Sequence, residues 1–133
     1  MKPEHLAAIH RLYEAMNRRD TAALRELRNE HPDFSWESNS DELDSPGRLE
    51  GEELAAYSRE LFQIFDELET EIVERIDCGP DHVIFEVRHR VRGAASGIRV
   101  DRSEVHLWTV RDDRIESLRE FQTVEEALEE AAT

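Results

Sequence analysis

EVHLWTVRDDRIESLREFQ, residues 104–122, decides how this chain folds. Two runs alternate apolar and polar side chains on either side of an Asp112-Asp113 turn. Alternation at period two gives each run two faces. One face of the first run carries Glu104, His106, Trp108 and Val110, and the matching face of the second carries Leu118, Glu120 and Gln122. Val105, Leu107 and Thr109, with Ser117, Arg119 and Phe121, point the other way. A strand surface that mixes Trp and Leu with His and Glu suits a pocket wall, where a mostly apolar lining holds a few convergent polar groups.

The pattern extends in both directions. Residues 82–93, HVIFEVRHRVRG, put Val83, Phe85, Val87, His89 and Val91 on one face and Glu86, Arg88, Arg90 and Arg92 on the other. Cys78-Gly79-Pro80-Asp81 turns the chain into that strand from another at 71–77, and the small residues 93–97 lead to a strand at 98–110. Thr123 and Glu126 form a capping box that opens a short C-terminal helix. Towards the N-terminus, Pro3 suits a first helical turn, and Leu6, Ile9, Leu12, Tyr13 and Met16 predict a helix to about Asn17. Asp20 caps a second helix over 21–28, which His31-Pro32 ends. Residues 34–38 read as a short strand with Phe34, Trp36 and Ser38 on one face. A polar loop over 39–49 follows, with Pro46-Gly47 as its turn, and then a third helix over 50–68 that buries Leu54, Tyr57, Leu61, Ile64 or Phe65, and Leu68. Helices gathered on one face of a long antiparallel sheet make an α+β domain, read here as one unit over residues 1–133.

Composition narrows the partners. The 17 basic and 32 acidic side chains leave a net charge of −15, a field that repels nucleic-acid phosphates and anionic membrane surfaces. Arg88, Arg90, Arg92 and Arg99 are the one dense basic cluster, and they read as an ion-paired sheet face. No apolar run approaches the roughly 18 residues of a membrane span, and the N-terminus lacks the apolar core of a signal peptide. The lone Cys78 excludes an intrachain disulfide and, lacking a basic neighbour, is not expected to be a nucleophile. These features lead to the expectation of a cytoplasmic protein.

LYEAMNRRD (12–20), HPDFSWES (31–38), LEGEELAAY (49–57), VERIDCGPDHVIFEVRHRVRGAASGIRVD (73–101) and VHLWTVRDDRIESLREFQTVEEAL (105–128) together resemble the nuclear transport factor 2-like superfamily. Within it they resemble the SnoaL-like polyketide cyclases and ketosteroid-isomerase-like proteins. The resemblance implies a cone-shaped, curved antiparallel sheet wrapped around N-terminal helices, with a pocket on the concave face and dimers through the convex one. It also implies residue roles. The isomerases' general base falls at Ser38, their enolate-stabilising acid at His106, and their helix tyrosine at Leu12, beside Tyr13. None of the three is retained in kind. The cyclases' acid-base aspartate falls at Glu120.

Glu120 is therefore the first catalytic candidate, with His106 and His89 as its polar partners. A carboxyl group walled by Trp36, Trp108 and Leu118 loses water, which favours its neutral form. A one-residue slip of the strand would instead turn Glu120 to solvent and Phe121 inward. The two histidines admit three readings: hydrogen-bonded core residues, an acid-base relay, or metal ligands together with Glu120. No cofactor and no metal is expected. Tyr13, Met16, Trp36, Ser38, Tyr57, Phe85, Trp108, Leu118 and Gln122 are expected to bind the ligand, and the loop 39–47 to cover the mouth. The function expected is a cofactor-independent isomerase, cyclase or dehydratase acting on an apolar, carbonyl-bearing small molecule. The alternatives are a non-catalytic ligand-binding protein or an interaction module. A homodimer is expected through Val105, Leu107 and Phe121, with the strand arginines paired to Glu116 or to partner carboxylates.

Overall fold

The computed structural model describes residues 1–38 and 46–133. Its elements run α1 (Pro3–Arg18), α2 (Thr21–Glu30), β1 (Ser35–Glu37), β2 (Arg48–Glu50), α3 (Gly51–Ile64), β3 (Phe65–Asp77), β4 (His82–Gly93), β5 (Arg99–Arg111), β6 (Arg114–Phe121) and α4 (Val124–Ala132). The strands form one six-stranded sheet in the order β2-β1-β6-β5-β4-β3. β3 to β6 are an antiparallel meander, while β1 lies parallel to β6 and antiparallel to β2.

The central hairpin turns where the sequence places it. Asp112 and Asp113 take left-handed backbone angles (φ 51° and 64°), as a two-residue turn matched to strand twist requires. Pairing then sets His106 opposite Glu120 and Trp108 opposite Leu118. An irregularity between Thr109 and Val110 shifts the partner so that Val110 meets Ile115. α1 packs on this inner face, where Ile9 and Tyr13 join Phe85, Val87, Trp108 and Leu118 in the main core. Full burial of a side chain such as Ile9 or Phe85 contributes about 1.5–3 kcal/mol.

Two elements differ from the sequence reading. The third helix stops at Ile64, and Phe65 opens a strand that was expected only from residue 71. Leu68 fits a helical stripe and an alternating strand equally well. What ends the helix comes from far away in sequence: Phe65 pairs with Gly93, and the Arg19 guanidinium hydrogen-bonds the Phe62 and Phe65 carbonyls. The second difference is β2, inside the expected polar loop. Three residues carry no periodic signal of their own, and Leu49 becomes a strand residue only because Trp36 lies beside it. Residues 39–45 of the expected mouth-covering loop lie outside the described residues.

The outer face corrects the dimer surface. Val105 and Leu107 do point away from the core, but α4 lies over them. Leu107, Ile84 and Ala127 are fully buried in a second apolar cluster, with Phe121 and Val124 at its edge. Thr123 caps α4 by accepting the Glu126 backbone N–H at 3.2 Å. The expected patch is thus covered by the chain's own helix. The strand arginines also pair differently: Arg92 meets Asp66 at 2.7 Å and Arg99 meets Glu67 at 3.2 Å on β3, while Arg111 takes Glu116. No described helix is long and apolar enough to cross a membrane.

Candidate functional site

A cavity of about 700 Å³ lies between the inner sheet face and the helices α1, α2 and α3. Its lining is mostly apolar, from Leu12 and Met16 on α1 to Leu118 on β6. At its buried end four polar side chains from three adjacent strands converge: His89 on β4, Glu104 and His106 on β5, and Glu120 on β6. The hairpin pairing brings them together, since His106 lies directly opposite Glu120 and Glu104 lies one inward step along β5.

A chain of hydrogen bonds runs from Trp108 through Tyr13 to His106. Trp108 Nε1–H donates to Tyr13 Oη at 2.9 Å, and Tyr13 Oη lies 2.7 Å from His106 Nδ1. Burial, with the charges of Glu120 and Glu104 adding to it and the Trp108 hydrogen bond opposing it, holds Tyr13 well above the usual phenol range, so its O–H stays protonated. That hydrogen needs an acceptor, and His106 Nδ1 supplies it. Neutral His106 therefore carries its own hydrogen on Nε2. Burial pushes His106 below the ordinary imidazole value, against the pull of Glu104. Its Nε2 is buried and has no hydrogen-bond partner among the described residues. It sits 3.6 Å from Glu104 Oε2 and 3.7 Å from Glu120 Oε2, too far for a good hydrogen bond to either.

Glu104 is the ionised member of the set. Burial alone would raise it, but the imidazoles of His106 and His89 and a hydrogen bond with Glu120 outweigh burial and hold it well below the usual carboxylate range. His89 Nε2–H donates to Glu104 Oε2 at 2.7 Å, and its Nδ1 lies 2.8 Å from Thr70 Oγ1. Trp36 Nε1–H donates to Glu120 Oε2 at 3.1 Å. Ligand atoms of His89, Glu104 and His106 lie within 4.8 Å of one another, close enough to consider a metal. A metal there would need the His106 hydrogen to move from Nε2 to Nδ1 and be donated to Tyr13 Oη, since a protonated Nε2 has no lone pair to give.

The expected site residues divide into three groups. Glu120, His106, His89, Met16, Trp36, Tyr57, Trp108 and Leu118 all line the cavity. Trp36 stacks on Tyr57 at 5.1 Å between ring centres, and burial followed by the charge of Glu120 keeps the Tyr57 hydroxyl protonated. Tyr13 and Ser38 reach the cavity but spend their hydroxyls elsewhere. Tyr13 orients His106, and Ser38 Oγ braces the turn by accepting the Gly47 N–H at 3.2 Å. Phe85 and Gln122 do not line it: Phe85 is core beneath Tyr13 and His10, and Gln122 is exposed beyond the end of β6. Glu104 was read as facing inward but given no role. Its signal is the Glu-x-His-x-Trp spacing, which puts all three side chains on one strand face.

Helices α1 to α3 packed on one face of a mostly antiparallel six-stranded sheet, with a cavity between, define the nuclear transport factor 2-like fold. Residues 9–118 match the SnoaL-like domain, and the chain belongs to that family. No curated protein sequence matches it. Among solved structures it is similar to TerC co-crystallised with polyporic acid, at 20% identity and TM-score 0.73 over 97% of this chain and 98% of that one. It is also similar to a protein assigned as a SnoaL-like polyketide cyclase from Jannaschia sp. CCS1, at 23% identity and TM-score 0.72 over 98% and 94% of the two chains. A third is a hypothetical protein with a ketosteroid isomerase-like fold from Catenulispora acidiphila DSM 44928 in complex with trimethylamine, at 15% identity and TM-score 0.71 over 99% and 95%. At these identities the likeness establishes the fold.

Proposed function

We propose that this protein is a cofactor-independent acid-base enzyme acting on an apolar, carbonyl-bearing small molecule. The observation that carries the reading is the unpartnered Nε2–H of His106, aimed between the oxygens of Glu104 and Glu120 at the closed end of an apolar cavity. In this reading Glu120 works in its protonated form, beside a Glu104 that the neighbouring imidazoles hold ionised. A substrate oxygen entering here meets two donors, the Glu120 O–H and the His106 N–H. Glu120 passes its proton to that oxygen and the carboxylate it leaves takes the α-proton, so the compound enolises with no net proton gained or lost; the His106 N–H stabilises the negative charge on the oxygen while the transfers are incomplete, and Glu104 stays as a fixed negative charge against the imidazole. Enolisation, aldol closure and loss of water all draw on that arrangement. His89 and Thr70 hold Glu104 in place from the far side.

The second reading is a non-catalytic small-ligand-binding protein, and one feature favours it: a carboxylate held as low as Glu104 is a weak base. Self-association belongs to the proposal only through surface that α4 leaves open, such as the half-buried edge at Phe121.

The test needs no known substrate. Incubating the protein in D2O with a panel of cyclic enones and diketones, and following loss of α-proton signals by NMR, reads enolisation directly. Exchange above the buffer rate is expected for at least one compound, and Glu120→Gln is expected to reduce it by about 100-fold, the usual contribution of a positioned acid or base. Exchange that is unchanged in the variant sinks the acid role. Compounds that bind and raise the melting temperature without exchanging return the protein to the binding class.

A further inference from the structure

Charge along the cavity is sorted by depth. The two carboxylates that line it, Glu104 and Glu120, sit at the closed end with side chains only 8% and 12% exposed. Its four arginines are Arg25 and Arg28 on α2, Arg59 on α3 and Arg102 on β5. Arg28 is half-buried and the other three are exposed, as side chains at a mouth must be. No Asp and no other Glu lines the cavity among the described residues. In a chain with 32 acidic and 17 basic side chains, charged groups at the outer part of the cavity that are all cations among the described residues reverse the overall charge. Arg25, Arg28 and Arg59 also make no ion pair among the described residues, unlike Arg92 and Arg99, which pair with β3 carboxylates.

Resting on the acid-base reading above, we propose that the ligand is an apolar compound with an anionic group, a carboxylate or a comparable acid, at the end that remains at the mouth. Arg25, Arg28 and Arg59 receive that group, and the apolar body and carbonyl run inward. The opposite orientation would set one anion against the Glu104 carboxylate. Guanidinium is the side chain best shaped for an oxyanion, which it meets with two parallel N–H donors. The bland alternative is that these arginines only lay their apolar stems over the cavity edge, which would make binding indifferent to ligand charge.

Two fluorescent probes with one aromatic body separate these cases: anilinonaphthalene sulfonate and its neutral parent, phenylnaphthylamine. The net charge of −15 suppresses adventitious anion binding elsewhere, and the one-to-one stoichiometry expected of a single site checks this. For the wild type, raising salt from about 20 mM to about 500 mM is expected to weaken the sulfonate at least about fivefold and to leave the neutral probe within about twofold. The triple variant Arg25→Gln, Arg28→Gln, Arg59→Gln is expected to weaken the sulfonate about tenfold and spare the neutral probe, a loss of about 1.4 kcal/mol. A sulfonate affinity that ignores both salt and the substitutions overturns the proposal. Should the variant lose both probes, its cavity is damaged and the wild-type salt series decides alone. The neutral probe also keeps the two proposals apart: its binding without any sulfonate preference sinks the arginine site only, while failure of both probes to enter the wild-type cavity sinks the pocket reading itself.

Discussion

His106 owes its character to a residue 93 positions away. The Tyr13 hydroxyl sits between an indole N–H and an imidazole nitrogen; it accepts from Trp108 and has one hydrogen to give to His106. Tyr13→Phe removes both partners at once. It leaves a buried Trp108 N–H and a buried His106 nitrogen unsatisfied, so a loss of about 2–4 kcal/mol is expected in urea unfolding. The same variant frees the imidazole to exchange tautomers, and nitrogen-15 NMR of the ring is expected to show protonation divided between Nδ1 and Nε2. A ring signal identical to wild type would mean that Tyr13 merely packs. Helical spacing places Tyr13 on the inward stripe of α1, but a hydroxyl's role depends on which neighbours claim it, and spacing does not show them.

At the scale of the element, α4 changes what the β5 outer face is for. Alternation puts Val105, Leu107 and Phe121 outward, and outward apolar residues in a cluster ask for a cover. The cover is nine residues of the same chain. Leu107→Glu therefore buries an unpaired charge beneath a helix and is expected to destabilise the fold by about 3–5 kcal/mol. A folded protein of reduced mass in light scattering, the outcome for a residue at a dimer contact, would contradict this. Ala127 has no room to grow, and Ala127→Leu is expected to cost about 1–3 kcal/mol by overpacking.

Over the whole molecule two electrostatic effects compete. Thirty-two acidic against 17 basic groups repel one another at pH 8, and acid relieves that repulsion as the chain nears its isoelectric point of about 4.7. The buried site works the other way. His106 and Glu104 both have folded-state values below their unfolded ones, about 6.5 and about 4.3. The unfolded chain therefore binds more protons, and acid favours unfolding. The His106 contribution is complete above about pH 6.5 and is lost as pH falls through its folded value; the Glu104 contribution is complete above about pH 4.3 and is lost only well below it. Urea midpoints are expected to rise when salt is added at pH 8. On acidification at low salt they should pass through a maximum and then fall. His106→Gln is expected to flatten the part of the fall that begins near pH 6.5. A midpoint at pH 8 that drops with salt would mean that the surface ion pairs outweigh the repulsion.

The sequence by itself determined the meander, the hairpin turn, the inward set Glu104, His106, Trp108, Leu118 and Glu120, and the family. Those rest on local rules: period-two alternation, a turn that admits left-handed residues, and caps at helix ends. The tertiary structure alone decided the rest. Where α3 gives way to β3 depends on Arg19 and Gly93, and β2 exists only beside β1. Whether an outward apolar face is free or covered depends on where α4 comes to rest. The proton inventory of the site depends on contacts between α1 and β5 across some 90 residues. Periodicity says which way a side chain points. It carries no information about what meets the side chain there, and in a packed interior the partner sets both charge state and function.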